Sequence, residues 1–123
     1  MDIEISKVKI VVFVPTNYID KMRDVICDAG AGTIGNYRYC TSLTNTIGTF
    51  IPGVNAEPFI GVKNKLEVVE EGKLEVICDI KNVKRVVSEI KKVHPYEEPG
   101  IDIIPLIDVE NLWFTIVLYL IYI

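Results

Sequence analysis

Basic residues never cluster in this chain. Its 13 Lys and Arg are scattered among 17 Asp and Glu, giving a net charge of −4 and a pI near 5.0. That balance argues against nucleic acid as a partner, because phosphate binding needs a basic stripe or patch. Histidine is scarcer still. His94 is the only one, whereas a closed structural zinc site takes about four protein ligands. Cys27, Cys40 and Cys78 are odd in number, far apart and without CxxC spacing, so reduced thiols are expected rather than a disulfide framework. The start, MDIEISKVKI, lacks the basic segment and apolar stretch of a secretion signal. A cytoplasmic location is the expectation. One long uncharged run exists, Leu112–Ile123 (LWFTIVLYLIYI). It is too short for the ~20 residues of a membrane-spanning helix, so no membrane span is expected, and its β-branched and aromatic content predicts a strand. Linkers and low-complexity segments are absent. The organisation expected is a single domain over residues 1–110, with 111–123 an apolar tail forming an extra strand.

Hydrophobic periodicity supplies the elements. Lys7–Val14 (KVKIVVFV) is a β-branched run ending at Pro15 and reads as a buried strand. Thr16 and Asn17 are N-cap types. After them Ile19, Met22, Ile26 and Ala29 recur at helical spacing up to a stop at Gly30. A strand is predicted to end near Leu43, a turn over Thr44–Thr46, and a short strand over Gly48–Ile51. Leu66, Val68, Leu74 and Val76 alternate, with Gly72 marking a bulge or bend. Val83, Val86, Val87, Ile90 and Val93 form the apolar stripe of a second helix, capped by Asp79 or Asn82 and ended by Pro95. Lys81, Lys84, Arg85, Lys91 and Lys92 lie opposite, as a solvated face. Ile101–Leu106 is the last strand. The fold class is α+β, a ferredoxin-like βαββαβ sandwich with a mostly antiparallel sheet and two helices on one face.

The run VVFVPTNYIDKMRDVICDAGAGTIGNYRYCT, then GTFIPG, NAEPFIG, KLEVVEE and HPYEEPGIDIIPL, resembles the inserted PII/CutA-like domain of the Nif-three-like family (YqfO in bacilli). It resembles equally the short proteins made of that domain alone. The match runs from about Lys7 to Leu106. The resemblance implies a PII/CutA-like fold and a homo-oligomer, with a trimer favoured. It also implies that the family's metal ligands lie in flanking segments missing here. Gly72 departs from a position that is usually β-branched in that family, and the tail after Glu110 has no counterpart.

Chemistry concentrates in His94-Pro95-Tyr96-Glu97-Glu98-Pro99, held between prolines. Three readings stay open. His94 with Glu97 or Glu98 could hold a divalent metal ion, given further ligands from elsewhere. The elbow could join a small-molecule or anion pocket with the glycine-rich stretch Gly30–Tyr37, where Gly32, Gly35, Asn36 and Tyr37 would turn backbone N–H groups outward. Or it could be structural. Phe50, Phe59 and Tyr37 are expected to line one apolar pocket; the segment Pro58-Phe59-Ile60-Gly61 reads as a plug over the sheet, a contact on a neighbouring subunit or a ligand lid, and Tyr96 is a further candidate ligand residue. The pairs Glu70-Glu71 and Glu97-Glu98 are chain neighbours, which on a strand point to opposite faces. No nucleophile–base–acid spacing appears, so no catalytic residue is assigned and no cofactor is certain. The expected role is ligand sensing or assembly. The competitors are a CutA-like metal-binding protein and an orphaned fragment of a dinuclear-metal hydrolase-like protein.

Overall fold

The computed structural model describes residues 4–122; Met1–Ile3 of the acidic start and Ile123 of the tail lie outside them. Among the described residues four strands and three α-helices follow one another as β1 (Lys7–Pro15), α1 (Ile19–Asp28), β2 (Thr41–Phe50), β3 (Glu67–Asp79), α2 (Val83–Val93), β4 (Ile101–Leu106) and α3 (Val109–Tyr122), with a 3-10 turn leading into each of α1 and α2. The sheet order is β2-β3-β1-β4, and every pairing is antiparallel. Each helix thus carries the chain past an intervening strand, which is the split βαβ arrangement of ferredoxin-like folds.

β1 occupies the centre, apolar along the whole face turned to the helices and, at Val11 and Phe13, over part of the other. Val8, Ile10, Val12 and Val14 point to the helix side and join Leu74, Val76 and Cys78 of β3. Met22 and Ile26 of α1 and Val86 and Ile90 of α2 close that core, as their helical spacing predicts. Val11 is buried on the opposite face, in register with Glu75 and Asp102. Arg85 is not purely solvated: its Nε donates to Ala29 O at 2.8 Å, satisfying a carbonyl at the end of α1.

Three local expectations change. Thr44–Thr46 is not a turn; β2 runs unbroken, with Thr44, Asn45 and Thr46 paired to Lys73, Gly72 and Glu71. The polar β-branched threonines suit an exposed edge strand. Gly72 makes no bulge, since the register on both sides of β3 is continuous. It is a packing glycine: a Cβ there would come within 2.5 Å of Ile19 Cδ1 and 2.9 Å of Leu43 Cδ1. Finally, the expected extra strand in the tail is instead α3, 14 residues long. A helix satisfies its own backbone hydrogen bonds without a neighbouring strand, so composition alone does not decide the matter. Among the described residues no helix is long and apolar enough to cross a membrane.

Because Ile10 is fully buried at the centre of this core, Ile10→Ala should cost about 2–5 kcal/mol of stability. Urea unfolding measures this, and a loss below about 1 kcal/mol would contradict the packing described.

Candidate functional site

The residues singled out in the sequence fall into two places. Gly32, Gly35, Asn36 and Tyr37 precede β2, whereas Phe50 ends it. At ~3.3 Å per residue the strand separates Tyr37 from Phe50 by roughly 30 Å. The pocket expected to contain Phe50, Phe59 and Tyr37 together is therefore corrected: Tyr37 stands apart and is 75% exposed.

The glycine-rich stretch also turns much of its backbone inward. Gly32 N–H donates to Ile77 O at 2.8 Å, and Ile34 and Tyr37 exchange N–H···O bonds of 2.9 and 3.0 Å across a tight turn at Gly35 and Asn36. Gly32 and Gly35 have φ of 81° and 57°, which glycine adopts at little cost. The Gly32 and Tyr37 N–H groups of the expected anion nest are thus bonded within the chain. Tyr39, with φ 58°, keeps the strand from starting before Thr41, and its hydroxyl donates to Asp28.

The second place is a cleft of about 440 Å³. It lies where β1 and β2 end and β3 and β4 begin. The long β2–β3 loop roofs it, folded back by a bond from Asn64 N–H to Pro52 O at 2.7 Å. Phe13, Phe50, Phe59 and Tyr96 supply rings, Pro58 lines it, and Glu71, Glu97 and Glu98 supply carboxylates. Gly61, with φ 101°, backs the wall against Phe50 and Pro52. Tyr96 is the hub. Its ring centroid lies 6.4 Å from that of Phe50, 6.5 Å from Phe59 and 5.0 Å from His94. Phe59 also meets Tyr18 edge-on at 6.0 Å, and such tilted pairs are the favoured aromatic geometry.

Beneath Tyr96 sits Glu71, only 9% exposed. The Tyr96 hydroxyl donates to its Oε2 at 2.8 Å. Burial first, then this bond and the Glu71 charge, push the Tyr96 phenol well above its ordinary value. Gly48 makes the arrangement fit, because a Cβ there would overlap Glu71 Oε1. Phe13 and Gly48 were not singled out in the sequence, and Glu71 was weighed there only as half of the Glu70-Glu71 pair. Alternation places Glu71 on the face of Lys73 and Glu75, away from the helix-side core of Leu74, Val76 and Cys78, so its burial comes from the elbow that covers it. What was missing was register, which alone shows that Glu71 lies beside Gly48 and under the elbow.

His94 has a structural job. It caps α2 in an extended conformation and is 8% exposed. Its Nδ1 accepts Tyr96 N–H at 3.1 Å, so the neutral ring carries its proton on Nε2 and donates to Phe13 O at 2.7 Å. Neither nitrogen is left for a metal ion. Glu97 accepts Glu57 N–H at 2.9 Å, tying the elbow to the roof, while Glu98 is exposed. Among the described residues no three His, Cys, Asp or Glu side chains gather as a metal centre. The thiols of Cys27 and Cys78 are buried, and burial raises both above the ordinary value, which disfavours the reactive thiolate.

This architecture is a PII/CutA-like ferredoxin-like domain. Over 81–93% of the chain it superposes on solved CutA structures, for example that of Synechococcus elongatus at a TM-score of 0.65 and 11% identity, covering 93% of this chain and 88% of that one. More particularly, the chain is similar to a segment of the Nif-three-like proteins. It is 48% identical over 101 residues to the GTP cyclohydrolase 1 type 2 homolog of Halalkalibacterium halodurans, covering 82% of this chain and 27% of the relative. The crystal structure of a Bacillus cereus protein related to NIF3 matches at a TM-score of 0.73 and 37% identity, covering 83% of this chain and 26% of that one. The chain thus spans about a quarter of the length of the curated relatives it matches. No family model matches it.

Burial pulls the His94 imidazolium below the ordinary 6.5, against smaller upward effects of the Phe13 carbonyl and Glu71. The unfolded chain therefore binds the extra proton first, and stability falls as pH drops from about 6.5 towards the lower folded value. Urea titrations between neutral pH and about pH 5 should show this slope in the native chain and a shallower one in His94→Gln. Equal slopes would contradict the neutral ring.

Proposed function

We propose that this chain is a ligand-sensing and assembly module whose ligand enters the cleft between the Tyr96 elbow and the β2–β3 loop. The observation that carries the reading is that four aromatic rings line one cleft with a largely buried carboxylate, Glu71, held by the Tyr96 hydroxyl. Large apolar walls with a few placed polar groups are the usual make-up of a small-molecule site. No catalytic role is assigned: the one histidine spends both nitrogens on backbone partners, and two of the three thiols are buried. Residues 1–110 form the binding unit, and the tail is an addition to it. The reduced thiols fit a cytoplasmic setting.

Self-association has its own support. β2 is an edge of the sheet, and its sequence TSLTNTIGTF has neither charge nor proline, the residues that ordinarily guard an edge against pairing. Leu43 and Ile47 on it are 49% and 71% exposed. A homo-oligomer, with a trimer favoured by the resemblance, would cover them.

Ligand-observed NMR with the neutral probe 2-phenylethanol should detect binding to the native chain, weakened about tenfold or more in Phe59→Ala. Unchanged binding would remove the cleft from the proposal. Light scattering should report an oligomer that Ile47→Lys reduces in mass. A monomer at micromolar concentration in the native chain would end the assembly reading.

A further inference from the structure

The cleft is one-sided in charge. Glu71, Glu97 and Glu98 line it and no lysine or arginine does. Lys73, two positions along β3 on the Glu71 face, is outside the lining. The ion pairs among the described residues join Arg23 to Asp20 and Asp24, and Lys92 to Glu89. None of them neutralises a cleft carboxylate. Glu71 is the telling member: a carboxylate 9% exposed, held by a neutral phenol. Side chains of this kind are rarely so buried unless paired.

The rings of Phe13, Phe50, Phe59 and Tyr96 line the same cleft. Aromatic faces attract a cation through their quadrupole, most strongly where water is displaced. Carboxylate and rings therefore ask for the same thing, a positive charge on a small apolar body. Phosphate and carboxylate ligands meet the opposite: three negative groups and no basic partner. An anionic ligand, one of the expectations raised by the sequence, does not suit this cleft.

The geometry points to an organic cation, a primary amine or guanidinium on an apolar body, as the ligand of the cleft, with Glu71 as its counter-ion. This rests on the cleft being a ligand site. Tyr96 positions the Glu71 carboxylate rather than supplying charge, and Gly48 leaves it room.

Three probes sharing the 2-phenylethyl body separate the two ideas: 2-phenylethylammonium, 2-phenylethanol and 3-phenylpropionate, titrated by ligand-observed NMR at neutral pH. The ammonium should bind at least about tenfold more tightly than the alcohol, and the carboxylate more weakly than either. Glu71→Gln, which keeps an acceptor for Tyr96, should erase most of the preference for the ammonium over the alcohol. Should that variant not fold, raised salt in the native chain must weaken the ammonium selectively. Equal binding of ammonium and alcohol, or tightest binding of the carboxylate, would overturn the cation assignment while leaving the cleft intact. Failure of all three probes to bind would overturn both. A loss of oligomer mass as the ammonium binds would assign the cleft to a basic side chain of a second copy and overturn the free-ligand assignment.

Discussion

β1 is the constraint on which the rest depends. It pairs with β3 along one edge and β4 along the other, and its alternate residues face the two helices. A strand in that position has a neighbour along each edge, so it satisfies its backbone groups through them and must be apolar on the face the helices cover. KVKIVVFVP meets both demands with Val8, Ile10, Val12 and Val14, while Lys7 and Lys9 stay at the solvent on the other face. Once it is central, β3 and β4 must flank it and both helices must cross the same face. The ends of all four strands then meet at one rim. The cleft is a by-product of that convergence.

Much of this could be read from the chain before any coordinates. The two helical stripes were visible because burial on a helix has a 3.6-residue signature, and Met22, Ile26, Val86 and Ile90 obey it. The boundaries of β2 were harder. A threonine-rich edge strand carries little hydrophobic alternation, and Thr44–Thr46 looks like a turn until its partners on β3 are known. Gly72 posed the same difficulty: a glycine that opens a bulge and one that admits a neighbouring side chain look identical in sequence. Composition misled at the tail, where β-forming residues adopt a helix.

The site was half legible. Phe50, Pro58, Phe59, Gly61, Tyr96, Glu97 and Glu98 do come together, because each lies in a connection at the same end of the sheet. Gly32, Gly35, Asn36 and Tyr37 do not, since they belong to the connection at the other end. Which end a loop occupies follows from counting strands, and an undetected continuous β2 reverses that count. Glu71 was hidden by chemistry rather than topology. A glutamate on a strand is ordinarily solvated, and only Gly48 and the Tyr96 hydroxyl make its burial tolerable.

Phe13 meets the elbow twice. Its carbonyl accepts from the His94 ring, and its N–H donates to Gly100 O at 3.0 Å. Both ends of the His94–Gly100 segment are thus buckled to one residue of the central strand. A loop fastened in this way has a fixed contour length, and one residue added or removed would pull a buckle open. A change of length is for that reason better accommodated at the Gly35-Asn36 turn than here. The elbow can change its side chains, and with them what it recognises, but not its size.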